Sequence, residues 1–335
     1  MQKFVFATLL LAFSGCSAGS NAIAPQPTPT PTRPPSGTIV EYSIPTANGG
    51  PFGITQGSDG NMWFIESNTD ANKVGKITPA GVITEYALGT TNAFPGNIVP
   101  GPDGNLWYVD ESNHVGRVTT AGAVTLFPAT DPSSIAVGPD NNLWVPEFNG
   151  AKVDVYSTAG ALLHTYASGA NPSNLQLEQI TAGPDGNMWF DTFSGQNVVK
   201  MITGTGSSTA FVYFPTVQNT LRGITKGPDG NVWACASDSS LIMRVTPSGT
   251  LTTFATPSAN AQPYGIATGP DGNLYFTEPG VNGATNKIAR ITPSGTTTEF
   301  AIPTALSGPT LISAGPNNTM WFTEASSNKI GELFL

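Results

Sequence analysis

GPDGNMWF (183–190) recurs along the chain, with small changes, as GSDGNMWF (57–64), GPDGNLWY (101–108), GPDNNLWV (138–145), GPDGNVWA (227–234), GPDGNLYF (269–276) and GPNNTMWF (315–322). Successive copies start 44, 37, 45, 44, 42 and 46 residues apart. A period near 43 residues means one supersecondary unit copied seven times. All six tryptophans, Trp63, Trp107, Trp144, Trp189, Trp233 and Trp321, occupy the same place in the unit, and Tyr275 takes that place in the sixth copy. A unit this short cannot bury its own faces, so the copies must pack on each other.

Working outward from the phrase, the unit reads as strand throughout. PFGITQG (51–57) is short, apolar and ends at glycine. Ser-Asp-Gly-Asn then supplies a tight turn. NMWFIE (61–66) follows, then a loop, KVGKIT (73–78), a second turn at 79–81, and VITEY (82–86). No stretch carries helical periodicity. Four antiparallel strands per unit predict an all-β, seven-bladed β-propeller with four-stranded blades. The last copy ends at NKIGELFL (328–335) without a fourth strand, while GTIVEYSIP (37–45) at the front matches the fourth-strand segment GVITEY (81–86). The N-terminal strand is therefore expected to pair with the C-terminal blade and close the ring, which removes exposed sheet edges.

Three segments are expected: a lipoprotein signal peptide over 1–15, a Cys-anchored Pro/Thr-rich linker over 16–36, and the propeller over 37–335. Lys3, an apolar run from Phe4 to Phe13, and Ser14-Gly15-Cys16 form the first. The apolar run is too short to span a membrane and reads as a signal peptide. The small pair before Cys16 resembles a bacterial lipobox, which makes Cys16 the lipidation site. PQPTPTPTRPP then reads as a polyproline II tether. The expected location is the bacterial cell envelope, lipid-anchored and extracytoplasmic. Cys235, the only other cysteine, falls in the second strand of the fifth blade and reads as a small buried thiol. A net charge of −9 argues against nucleic acid, which rewards basic proteins. A monomer is expected, with a small molecule or peptide as the partner.

Ligands of propellers sit on the face where the loops between strands four and one meet those between strands two and three. Each blade offers two positions near the axis there. One is the second residue of strand one: Phe52, Gly96, Ser133, Glu178, Arg222, Tyr264 and Thr310. The other lies three residues after the tryptophan: Glu66, Asp110, Glu147, Thr192, Ala236, Glu278 and Glu324. Five of the latter are acidic. Either each carboxylate caps loop amides, or some of them create a cation site, since hard cations take oxygen ligands. Glu178, Arg222 and Tyr264 break the small-or-apolar pattern on adjacent blades, and a repeat departs from its consensus where a blade has a task. Phe52, Glu178, Arg222, Tyr264 and Thr310 are thus the binding candidates. His114 and His164 fall away from the axis. No Ser–His–Asp set, zinc spacing or phosphate loop is visible.

The phrases GPDGNLYFTE (269–278), NKIARITPSGTTTEF (286–300), MWFTE (320–324) and NKIG (328–331) resemble those of the streptogramin B (virginiamycin B) lyases. The resemblance covers essentially all of 37–335. It implies a seven-bladed propeller whose chemistry is a metal-assisted elimination that opens a cyclic depsipeptide at its ester. The family motif has a general-base His in EPHGI of the last blade, a second His in PHAI of the blade before, and acidic magnesium ligands. Here GPTLI (308–312) puts Thr310 where the base belongs and Gly308 where an acidic ligand belongs. PYGI (263–266) puts Tyr264 in place of the second His, and Glu324 matches the other ligand. Threonine has no usable basicity at neutral pH, so the resemblance implies a shared scaffold without an intact lyase site. The expected function is ligand or partner binding on the axial face. One alternative is a divergent lyase with Glu178 or Tyr264 as base and Mg²⁺ or Ca²⁺ on Glu278 and Glu324. Another is a lactonase-like hydrolase of the gluconolactonase and regucalcin type, which shares G-x-D-G-N-L-Y phrases.

Overall fold

The computed structural model describes residues 33–68, 71–90, 93–169, 176–193, 197–213 and 220–335. The signal segment, Cys16 and most of the tether lie outside them, and Pro35–Leu335 forms one compact unit. The described strands group into seven four-stranded antiparallel sheets. Blade 1 runs Pro51–Gln56, Met62–Glu66, Lys73–Ile77, Ile83–Ala87 from the axis outward. The innermost strands of the following blades are Pro95–Pro100, Ala136–Val137, Leu177–Ala182, Leu221–Lys226, Ile266–Thr268 and Pro309–Gly315. Blade 7 takes its outer strand from the other end of the chain. Ile39–Ser43 pairs antiparallel with Lys329–Phe334, Ile39 opposite Leu333 and Ser43 opposite Lys329. The ring therefore closes by the N-terminal strand, as the sequence predicts.

The repeated phrase is explained by its own side chains. The Asp of each G-P-D-G turn accepts the indole N–H four residues on. Trp63 Nε1 donates to Asp59 Oδ1 at 3.1 Å, and Trp189 Nε1 to Asp185 Oδ1 at 3.0 Å. Tyr275 reproduces the contact, its hydroxyl 2.8 Å from Asp271 Oδ2. Blade 7 has Asn in place of the Asp, and Trp321 Nε1 turns to Thr319 Oγ1 at 2.8 Å. The Asn of the turn adds its amide to the same carboxylate, as Asn61 does on Asp59. A buried indole N–H needs such a partner. All six tryptophans are fully buried. Each wedges against the next blade, as Trp63 does on Ile98, Leu106 and Tyr108. Each also stacks on the fourth-strand aromatic, as Trp63 does on Tyr86 with centroids 5.8 Å apart and Trp321 on Tyr42 at 5.6 Å. The outer turn of the following blade closes onto that aromatic. At Gly81, φ is +82°, and an added Cβ would fall 2.3 Å from the Tyr42 ring. Glycine is needed there both for conformation and for room.

Candidate functional site: the axial cavity

The residues at the axis are aimed by bulges. In blades 1, 2, 4, 5 and 7 the ladder between strands one and two shifts register within the P-x-G-I segment, for example between Pro51 and Ile54 and between Leu177 and Ile180. A bulge frees a residue from pairing and re-aims its side chain. The glycine of the segment then sets how closely inner strands approach. A Cβ on Gly53 would sit 2.6 Å from the Gly96 carbonyl oxygen, and Gly223 and Gly265 are equally crowded. Blades 2, 3 and 4 carry Asn97, Ser134 and Gln179 at that place instead. Their side chains link up: Asn97 Nδ2 donates to Ser134 Oγ at 3.2 Å, and Ser134 Oγ to Gln179 Oε1 at 3.3 Å. The axis opens on that side. A cavity of about 450 Å³ lies there, lined by side chains from blades 1 to 5, among them Phe52, Phe94, Phe148, Glu178, Phe193 and Arg222. A second, of about 240 Å³, lies beyond Arg222 and is lined by Tyr264 and Asp238.

Four of the five binding candidates come together. Arg222 Nη1 donates to Glu178 Oε1 at 3.2 Å and to the Tyr264 hydroxyl at 3.3 Å. Its guanidinium lies over the Tyr264 ring at 4.8 Å and over Phe193 at 4.9 Å. Phe52 meets Tyr264 edge-on, 6.1 Å between centroids. Burial pushes Glu178 up to about 7 against the pull of Arg222. Burial and the Glu178 carboxylate push the Tyr264 phenol up to about 12. Asp191 lies fully buried beside this group. Burial first and Glu178 second raise it well above the ordinary carboxylate range, and it accepts the Gln179 backbone N–H at 2.7 Å.

Thr310 belongs to a different structure. Its hydroxyl is 2.6 Å from Thr323 Oγ1. Thr323 donates to the Phe52 carbonyl at 2.7 Å and so accepts from Thr310. Thr277 Oγ1 likewise donates to the Thr310 carbonyl at 2.6 Å. These hydroxyls stitch inner strands of neighbouring blades together.

The acidic strand-two ends turn away from the axis into separate clusters between blades. Glu66, Glu278 and Glu324 are fully buried. Each has a fourth-strand glutamate beside it: Glu85, Glu299 and Glu41. A lysine binds each of these outer carboxylates: Lys73 on Glu85 at 3.0 Å, Lys287 on Glu299, and Lys329 on Glu41 at 3.5 Å. Among the described residues neither oxygen of Glu66 or Glu278 meets a donor. Such a carboxyl holds its proton more tightly than an exposed one. Burial first, then the second carboxylate, pushes Glu66 to about 7 and Glu278 to about 8. Burial also raises Glu324 to about 7, against the Ser327 hydroxyl that it accepts at 2.8 Å. Asp110 alone of the five follows the amide-capping pattern closely, accepting the His114 N–H at 3.0 Å and facing its ring. A divalent ion needs several oxygens at one point. Glu278 and Glu324 do not share one, and among the described residues no three His, Cys, Asp or Glu side chains converge as a ligand set.

Sequence reasoning passed over Asn97, Ser134, Gln179 and Asp191. The first three were legible as a glycine lost from P-x-G-I in three successive blades. Asp191 was legible two residues after the tryptophan, where other blades carry Ile, Val, Pro, Cys or Thr.

The profile of the virginiamycin B lyase family matches residues 33–167 and 170–334. A streptogramin B lyase structure is 27% identical, superposes with a TM-score of 0.80, and the match covers 88% of this chain and 96% of that one. A catalytically inactive virginiamycin B lyase from Staphylococcus aureus with quinupristin is 31% identical, with a TM-score of 0.80 over 89% of this chain and 99% of that one. Hydrazine synthase from Kuenenia stuttgartiensis, at 17% identity and a TM-score of 0.69, shares the fold alone.

Proposed function

The chain belongs to the virginiamycin B lyase family, and we propose that it uses the family's propeller to bind a small-molecule or peptide ligand in the axial cavity. We infer further that it does so outside the cytoplasm, held to a membrane by lipidated Cys16 and the Pro/Thr-rich tether. The observation that carries the binding reading is the Arg222 group. An ion pair with Glu178, sandwiched between Phe193 and Tyr264, forms one wall of a cavity of about 450 Å³. That volume is in the range of small-molecule sites. The family's elimination needs a base, and the two positions that resemble its histidines supply none. The Thr310 hydroxyl is committed to Thr323, and Tyr264 holds its proton to about pH 12.

A second reading rests on Glu178. Its pKa near 7 suits general acid–base work at neutral pH, so a divergent enzyme acting at the cavity wall is the alternative. One experiment separates the two. A streptogramin B is incubated with the purified protein and Mg²⁺, and its mass is followed. The binding reading expects no ring-opened product at catalytic turnover. Turnover that is lost in Glu178→Gln replaces it with the enzyme reading.

A further inference from the structure

We propose that the axial cavity selects a ligand carrying an ammonium group on an aromatic or apolar body, an inference that rests on the axial-binding reading above. The location of the basic side chains is the first reason. Lys76, Arg117, Lys200 and Arg244 lie over tryptophans at the blade interfaces, 5.3 to 5.8 Å from the rings. Lys73, Lys287, Lys329 and Lys152 lie against carboxylates of the blades. The sequence places no lysine or arginine in 69–70, 91–92, 170–175, 194–196 or 214–219. Arg222 is therefore the one basic residue lining the cavity among the described residues. Its charge is already met by Glu178 at 3.2 Å, and both its faces are covered by rings.

Two further carboxylates line the same cavity. Asp131 accepts the backbone and side-chain N–H groups of Asn149 at 2.8 and 3.0 Å, but neither it nor Glu111 meets a cation among the described residues. Negative charge in a cleft with low-dielectric walls concentrates cations.

The rings are the second reason. Phe94 lines the cavity, is 41% exposed, and sits at φ +41°. A phenylalanine in the left-handed region is strained, and its exposed face gains the fold nothing. A ligand that covers the ring recovers that area. Phe52, Phe148 and Phe193 line the cavity with it, and an ammonium is drawn to the face of such rings. Gln179 supplies a directional group. It is 9% exposed, and its Oε1 is occupied by Ser134 and Asn97. Among the described residues its amide N–H₂ has no partner, and it is left for a carbonyl or hydroxyl oxygen of the occupant.

Three probes of similar shape test the assignment: 2-phenylethylammonium, 2-phenylethanol and 3-phenylpropanoate. Binding to the intact protein is measured by saturation-transfer NMR and calorimetry at low salt. The ammonium is expected to bind about ten-fold tighter than the alcohol, a difference of about 1.4 kcal/mol. The double variant Glu111→Gln, Asp131→Asn should bring the ammonium down to the level of the alcohol and leave the alcohol unchanged. Phe94→Ala should weaken both, with the melting temperature unchanged. Tightest binding by the carboxylate overturns the ammonium assignment and leaves the axial site standing, as does an ammonium affinity that ignores the double variant. Failure of all three probes to bind overturns the axial-binding reading together with this one.

Discussion

Glu278→Gln should stabilise the protein at neutral pH and leave it unchanged in acid. Glu278 is fully buried, and among the described residues neither of its oxygens meets a donor. Burial, with the Glu299 carboxylate second, pushes it to about 8 against the pull of Lys287, from an ordinary value of 4.5. Between those two values the folded chain holds a proton that the unfolded chain releases. Stability therefore falls as pH rises through this window. Each pH unit of it costs about 1.4 kcal/mol, so by pH 7 the wild type has lost about 3 kcal/mol on this group alone. Above pH 8 the loss levels off near 5 kcal/mol, because both states are then ionised. Glutamine keeps the shape and has nothing to titrate, and its amide N–H can donate to Glu299. Urea unfolding of both proteins, followed by tryptophan fluorescence from about pH 4 to about pH 8.5, measures the difference directly. Other groups titrate alike in the two proteins and cancel. The gap in unfolding free energy should widen by about 3 kcal/mol between pH 4 and pH 7. A gap that stays constant means that Glu278 ionises in place, with Lys287 as its counter-ion, and that burial does not hold its proton.

Trp189→Ala should cost roughly 3–5 kcal/mol, because it empties the fully buried wedge and leaves Asp185 without its indole donor; a loss under about 1 kcal/mol in denaturant melts would contradict that packing. Deleting 37–44 strips blade 7 of its outer strand and of the Tyr42–Trp321 stack, so it should lower the melting temperature sharply or cause aggregation. Deleting 17–32 should not, and equal melting temperatures would refute closure through the N-terminal strand. Cys16→Ala should release the protein from membranes with the propeller folded; retention in the membrane fraction after high-salt washing would remove the lipid-anchor proposal.

The sequence by itself determined the fold. Blade number and strand order follow from a phrase repeated about every 43 residues, and ring closure from a fourth-strand segment at 37–45, because each element of the repeat answers a local need. The Asp and Asn of the turn hold the indole, and the turn glycine at Gly81 must sit against the Tyr42 ring. Local needs leave the same mark seven times over. The site is legible in the same way only where one blade departs from the others, as at Glu178, Arg222 and Tyr264. What the departures do was decided by tertiary structure. Glu278 and Glu324 sit at equivalent places in the repeat, yet each turns into its own blade's cluster and away from the axis. Arg222 takes its partners from the blades on either side, 44 residues back in sequence at Glu178 and 42 residues on at Tyr264. The polar residues that replace the glycine in blades 2 to 4, unlike Leu311 in blade 7, link to one another beside the cavity. The physical reason is that strand propensity and turn chemistry act within one unit. Charge pairing, burial and the shape of the axial cavity arise between units, where only the closed ring sets which side chains meet.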